Sequence, residues 1–246
     1  MKSTPHMEAL RPNQQRAKTA VLFLYIAIAM DICSLISEYM QYSLLKTVAG
    51  GGYISEDDVS SNDIREGILA ILYLLVFISC GILFISWFRR AYYNLHLKTD
   101  YLKYGEGWAA GAWFTPILCL FRPFEIMKEL YTETDAILLR KSEGYRPRTN
   151  NMVLGSWWTL WIISCLMGNF ILKSSMKAQT VDEMLFASMA NMVSSLMGIP
   201  LGLLAIKLVK DYSNMETILA ELKDEPNNPE INPEVEQPLA PTMQIN

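Results

Sequence analysis

The sequence contains few of the residues on which most catalytic and metal sites depend. Only two histidines and four cysteines occur among its 246 residues. The cysteines, at positions 33, 80, 119 and 165, are too far apart for a zinc-binding pair or a compact disulfide framework. The HExxH, GxSxG, CxxC and glycine-rich phosphate-binding motifs are all missing. We therefore predict no catalytic residue, no metal and no cofactor, and a protein that is not an enzyme.

Charged residues are also missing from long stretches of the chain, although hydrophobic residues make up 51% of it. Residues 67–88, 149–172 and 184–206 contain no charge, and residues 19–45 contain only two acids. Each stretch is at least about 20 residues long, which is enough to cross roughly 30 Å of hydrocarbon. Their apolar residues are continuous and do not alternate with polar ones, which favours helices over strands of a barrel.

These stretches predict an all-α membrane protein with four transmembrane helices in a domain of residues 19–215. The predicted helices span about 19–44, 63–95, 150–173 and 183–212. The first is expected to stay uncleaved, because no small-residue cleavage pattern follows it. Residues 1–18 form a polar N-terminal segment. Residues 223–246 contain five prolines and many acids, and are expected to form a disordered tail.

The distribution of basic residues predicts the orientation. Residues 1–20 carry four lysines and arginines against one acid, and the 89–148 connection carries ten. The connection at 46–66 has only two basic residues against five acids. Because cytoplasmic loops are enriched in lysine and arginine, we expect both termini and the 89–148 connection in the cytoplasm. The predicted location is a bacterial cytoplasmic membrane, crossed several times.

Residues 107–121 are apolar but too short to span, and Pro116 interrupts them. We predict a short re-entrant or interfacial segment at about 107–123, followed by a cytoplasmic amphipathic helix at about 124–140. In the fourth helix, Gly198 and Gly202 are four residues apart and predict close contact with a neighbouring helix.

Two acids inside the first helix, Asp31 and Glu38, are candidate ligand- or ion-binding residues. Together with Ser34 and Gln41 they form one polar helix face, which should point into the bundle. Asp31 has two interpretations: it binds a proton or cation, or it is a neutral packing residue. In the second case its expected hydrogen-bond partner is one of Asn169, Asn191 and Ser194. Glu38 has the further interpretation that it already lies near the outer interface.

Two motifs on either side of the second connection carry a family resemblance. They read WFRRAYYNL at 87–95, and GWAAGAWFTPILCLFRPFEIMKEL at 107–130. This pattern resembles an uncharacterised bacterial membrane family, domain of unknown function 4328, over roughly residues 20–215. The motif positions are Arg90, Asn94, Trp108, Trp113, Pro116, Arg122, Pro123 and Glu129. The resemblance implies the fold and the membrane location but no activity.

The chemistry of the motif residues gives two interpretations of the break at 107–123. Arg122 could bond carbonyl groups freed by the prolines, or pair with Glu125 or Glu129, and Asn94 could join that network. Trp108 and Trp113 would anchor the segment at the depth of the lipid head groups. The result is either a structural clamp that closes the bundle or a binding site in which Arg122 and Glu129 contact a ligand.

The leading functional hypothesis is a non-enzymatic interaction or sensing module. The alternative is an oligomeric ion, proton or small-solute permeation or transport protein that uses Asp31 and the 107–123 break. A membrane enzyme acting on lipid would require Glu129, Arg122 and His96 to converge. Expected partners are the bilayer, including anionic lipids at the cytoplasmic face, and a protein or a second copy of the chain, but no nucleic acid. The basic residues available to anionic lipids are Arg89, Arg90, Lys98, Lys103 and Arg122.

Overall fold

A computed structural model describes residues 10–222. The predicted tail at 223–246, and residues 1–9 of the N-terminal segment, lie outside this range. Within it the chain contains helices and turns but no strand. The helices are α1 (Gln14–Ala49), α2 (Glu56–His96), α3 (Trp108–Gly111), α4 (Arg122–Lys141), α5 (Asn151–Ser175) and α6 (Val181–Glu221), with 3-10 turns at Ala112–Phe114 and Leu118–Leu120.

Four of these helices, α1, α2, α5 and α6, are long and apolar enough to cross a membrane. The predicted fold class is therefore confirmed: the chain is an all-α integral membrane protein with four transmembrane helices.

The helices extend further than the hydropathy pattern predicted. Helix α2 begins at Glu56, not near 63, because Ser55 is its N-cap and accepts a hydrogen bond from the backbone N–H of Asp58. Three acids in its first turn also interact favourably with the helix dipole. Helix α6 begins with a capping box formed by Thr180 and Glu183, and it continues to Glu221. The hydrophobic pattern marks the membrane crossing, whereas the side-chain caps mark where α2, α5 and α6 begin.

Helix α1 packs against both α2 and α6, and α5 packs on α6. The contact between α1 and α6 depends on the two predicted glycines. A Cβ at Gly198 would lie 2.3 Å from Oδ2 of Asp31, and one at Gly202 would lie 2.7 Å from Ile28. The structure confirms that these glycines allow close approach of two helices.

The two ends of the bundle differ in packing. We call the end where α1 and α5 begin and α2 and α6 end the basic end, and the opposite end, with the short connections after α1 and α5, the hairpin end. The fully buried core lies at the basic end and includes Trp87, Phe88, Tyr92, Leu130 and Tyr212. Towards the hairpin end, the apolar side chains of α2 are mostly exposed, as expected of a helix that faces lipid.

The segment at 107–121 folds into α3 and two 3-10 turns at the basic end. Trp113 packs edge-on against Phe84 and Trp161 at ring distances of 5.9 and 5.5 Å. The partly buried indole therefore packs against the aromatic core, and its predicted position at head-group depth stays a prediction. The predicted boundary at 123 also shifts: Arg122 and Pro123 form the first turn of α4, where proline is well tolerated.

Candidate functional site

The predicted intramembrane acid Asp31 lies between α1, α2 and α6, and it is only 4% exposed. The hydroxyl of Tyr73 on α2 donates a hydrogen bond of 2.9 Å to its Oδ1. The backbone of α6 approaches the carboxyl group at Gly198. The polar face of the first helix thus points into the bundle at this position, as predicted. The predicted partners on the third and fourth helices were wrong, because the second helix supplies the donor.

Glu38 lies about two helical turns nearer the hairpin end, where it accepts a hydrogen bond of 2.8 Å from the hydroxyl of Ser188 on α6. A second polar group joins α1 to α2 beside it. Arg65 Nε donates to Ser37 Oγ at 2.8 Å, and the same arginine forms an ion pair of 3.3 Å with Glu66. Asp31 and Glu38 therefore belong to separate contacts and do not form one shared site.

At the basic end, Glu129 on α4 holds the loop at 97–107. Its Oε1 accepts a 2.6 Å hydrogen bond from the backbone N–H of Lys103, and its Oε2 accepts one of 2.7 Å from the hydroxyl of Tyr92. The hydroxyl of Tyr104 donates to Glu125, one turn earlier on α4. We call Tyr92, Tyr104, Arg122, Glu125 and Glu129 the loop clamp.

Arg122 completes the loop clamp by stacking on aromatic rings. Its guanidinium carbon lies 4.6 Å from the ring centroid of Tyr104 and 5.0 Å from that of Trp108. Such contacts stabilise by about 0.5–2 kcal/mol, depending on how far they exclude water. The predicted ion pair with Glu125 or Glu129 was wrong, because these carboxylates bind tyrosine hydroxyls and backbone instead.

Asn94 on α2 takes part in a different contact from the one predicted. Its side-chain amide donates to Glu216 Oε1 at 2.7 Å and to the backbone carbonyl of Arg11 at 2.8 Å. Asn13, the residue before α1, donates to the same carboxylate at 3.0 Å. The three side chains are buried. Asn94 and Glu216 therefore fix the start of α1 to the ends of α2 and α6, and sequence analysis had not identified Glu216.

Asp135 on α4 is another buried acid that sequence analysis did not identify. It accepts hydrogen bonds from the hydroxyl of Tyr145, from the hydroxyl and backbone N–H of Thr149 and from the backbone N–H of Arg148. Burial alone would raise the pKa of Asp135, but these donors together lower the pKa below its ordinary value of 3.8. Asp135 thus holds the connection to α5 against α4. The available signal was its position on the apolar stripe of α4, next to Thr134 and Leu138.

Among the described residues, no hydrogen bond or ion pair joins His96, Arg122 and Glu129, so they do not converge as a lipid-modifying enzyme would require. His96 packs edge-on against Tyr92 at 4.9 Å, while Arg122 and Glu129 occupy separate contacts of the loop clamp. Within residues 10–222, no three histidine, cysteine or acidic side chains lie close enough together to hold a metal ion. Two cavities lie at the basic end, and neither is lined by Asp31 or Arg122.

A family model described as "Domain of unknown function (DUF4328)" matches residues 51–214. Because the match covers most of the chain, the protein belongs to this family, as the paired motifs indicated. No curated protein and no solved structure matches the chain.

Proposed function

We propose that the protein is a non-enzymatic interaction module of a cell membrane, with its basic end and both termini in the cytoplasm. The excess of lysine and arginine at this end supports the orientation. The four helices would then hold one packed unit at the cytoplasmic face, which a partner recognises. We call this unit the platform; it consists of α4, the segment at 107–121 and the adjoining ends of α2, α5 and α6.

The proposal rests on what the side chains of the motif residues contact. Glu129 holds a loop, Asn94 holds the start of α1, and Arg122 is stacked on two rings. Trp113 belongs to the aromatic core. These side chains are engaged in building the platform, so its role follows from the surface it presents and not from a reaction they perform.

The loop held by Glu129 offers a contact surface because it presents Tyr101 to solvent, where the residue is 92% exposed. Lys128 on α4 is also exposed. Tyrosine is enriched in protein-binding surfaces and among the residues that contribute most to binding. Sensing would result if a change in the packing of α1 on α6, where Asp31 meets Gly198, altered this surface.

Site-specific photo-cross-linking in intact cells tests the proposal. A photoreactive phenylalanine analogue replaces Tyr101 in one strain and Tyr53 in another. Tyr53 is a matched control, because it is 90% exposed but belongs to the hairpin end. We expect a discrete protein adduct from position 101 and none from position 53. Glu129→Ala, which releases the loop, should reduce the adduct while the protein remains in the membrane.

An adduct that persists unchanged in the Glu129→Ala background would contradict the role of the ordered platform. Absence of any adduct at position 101, with the full-length protein present at normal levels, would contradict an interaction module altogether.

The position of Asp31 supports an alternative, in which an oligomer transports ions, protons or small solutes. Intramembrane acids are often functional, and this one lies buried between three helices. A path lined by four helices would require more than one copy, so the mass of the detergent-solubilised protein is the first test. Reconstituted vesicles should then show a flux that Asp31→Asn abolishes. A monomer, or wild-type flux from that variant, would exclude the alternative.

A further inference from the structure

A groove of about 420 Å³ opens at the basic end, between the start of α1, the last turns of α2 and the 107–121 segment. Its volume lies within the roughly 300–1,000 Å³ typical of small-molecule sites. The charged side chains that line it are Arg11, Arg16, Arg89, Arg90 and Glu106. Four guanidinium groups thus face the groove against one carboxylate, and this composition favours an anion.

Three of the four guanidinium groups, those of Arg11, Arg16 and Arg90, contact neutral side chains that line the groove. Arg16 donates a hydrogen bond of 2.5 Å to the hydroxyl of Ser86. The guanidinium carbons of Arg11 and Arg90 lie 4.3 and 6.0 Å from the ring centroid of Tyr93. Like charges held this close repel one another, and a bound anion would relieve the repulsion. Because these contacts already orient Arg11, Arg16 and Arg90, binding would restrict little additional motion of their side chains.

The groove also lies at the end of the charge-free stretch that predicts a membrane crossing. Arg89 directly follows the charge-free stretch at 67–88. On the membrane side of the arginines, the groove is lined by Ile82, Ile85 and Phe114, and Phe114 is 78% exposed. A soluble phosphate would use only the cationic wall, whereas a phospholipid would use the cationic and the apolar walls together.

We propose that this groove binds one anionic phospholipid. The phosphate contacts the arginines, whose planar guanidinium groups suit phosphate oxygens, and an acyl chain lies against Ile82, Ile85 and Phe114. A zwitterionic head group would bring an ammonium group among four guanidinium groups, so a lipid with net negative charge is preferred. The site is distinct from the platform surface at Tyr101 and does not depend on the proposed function.

The test measures lipid binding to the full-length protein in detergent by native mass spectrometry. Phosphatidylglycerol and phosphatidylcholine with identical chains are titrated separately. We expect tighter binding of the first phosphatidylglycerol molecule. The double variant Arg16→Gln/Arg89→Gln alters two exposed side chains and should weaken that binding about 30-fold, or about fivefold for each arginine. Its affinity for phosphatidylcholine should change little.

The control is Lys207→Gln/Lys210→Gln, which removes two charges from the same end of the bundle but outside the groove. It should retain phosphatidylglycerol binding within about threefold. Arg16→Lys/Arg89→Lys, which keeps the charge but not the planar fork, should lie between the wild type and the glutamine variant.

Three results would overturn the proposal. The first is equal affinity of the wild type for the two lipids. The second is an equal loss of phosphatidylglycerol binding in the lysine control and in the arginine variant, which would indicate nonspecific charge attraction. The third is competition by millimolar glycerol 3-phosphate as effective as that by the lipid, which would assign the groove to a soluble phosphate compound. Failure of glycerol 3-phosphate to displace the lipid supports the lipid assignment.

Discussion

Substitution of Gly198 by alanine tests the contact that joins α1 to α6. The added methyl group would lie 2.3 Å from Oδ2 of Asp31, 2.6 Å from Cγ and 2.8 Å from Oδ1. To reach an ordinary contact distance of 3.4 Å, Oδ2 would have to move by about 1.1 Å. Rotation about the Cβ–Cγ bond alone cannot relieve the contact, since Cγ itself would lie only 2.6 Å away. The carboxyl group must therefore shift away from α6.

The expected cost has two parts. Overpacking a well-packed contact costs about 1–3 kcal/mol. The shift also disturbs the hydrogen bond from Tyr73, and hydrogen bonds between membrane helices contribute about 0.6 kcal/mol on average and up to about 1.7 kcal/mol. We expect Gly198→Ala to lower the free energy of unfolding by about 1.5–4 kcal/mol. Helix propensity works in the opposite direction, because alanine is favoured over glycine by up to about 1 kcal/mol.

A double-mutant cycle isolates the contact. In an Asp31→Ala background the carboxyl group is absent, so Gly198→Ala should lower the free energy of unfolding by less than about 0.5 kcal/mol. The coupling energy between the two positions should then be about 1–3 kcal/mol. Gly81→Ala is the matched control, because a Cβ there has no neighbouring atom within 4 Å. The measurement is reversible unfolding in mixed micelles, followed by tryptophan fluorescence. An equal cost of Gly198→Ala in both backgrounds would refute the contact with Asp31.

Three further predictions concern the buried polar groups of the basic end. Glu129→Ala should lower the free energy of unfolding by about 1–3 kcal/mol and speed protease cleavage in the loop at 97–107. Glu129→Gln should have a smaller effect on both quantities. Equal cleavage rates of the wild type and the alanine variant would contradict the loop clamp. Asp135 has a lowered pKa, so its carboxylate stabilises the fold above about pH 4, and this contribution is lost as the pH falls through the pKa of the folded state. Asp135→Asn should therefore destabilise the protein at pH 7, and its stability should differ progressively less from that of the wild type below pH 4. A stability difference that does not change with pH in thermal unfolding would contradict this prediction. Asn94→Ala should cost about 1–3 kcal/mol in the same unfolding assay, because Glu216 loses a buried donor. Gln14→Ala removes an exposed hydrogen bond between α1 and α6 and should stay within about 0.5 kcal/mol, so equal losses from these two variants would contradict the importance of burial.

The membrane helices were predictable because lipid leaves the backbone no alternative. A charge-free stretch of about 20 residues must satisfy its own backbone hydrogen bonds, and a helix does so without a partner. Outside such a stretch this constraint no longer holds, and side-chain caps determine where α2, α5 and α6 begin. The hydrophobic pattern placed the start of α2 near 63, whereas Ser55 and the acids after it extend the helix to Glu56.

The partners of the site residues were not predictable, because they depend on how neighbouring helices are rotated and on the path of a loop. A heptad-like polar face showed that Asp31 points inward, but not that Tyr73 of α2 would face it. Likewise, Arg122 was recognisable as a motif residue at a helix start. Its stacking on Tyr104 depends on the loop at 97–107 returning to α4, which no local sequence signal specifies.

The motif and the basic groove have different roles at the same end of the bundle. Asn94, Trp113 and Glu129 are engaged in packing and hydrogen bonds, so changes there should lower stability first and binding only as a consequence. Of the eight motif positions, Arg90 lines the groove, where Arg11, Arg16 and Arg89, which are not among those positions, join it. The motif therefore determines where the groove lies, whereas residues at other positions supply most of the charge. A family member that retains the motif but lacks these arginines should adopt the same fold and bind anionic lipid poorly, and lipid titration of such a protein tests whether the two roles are separable.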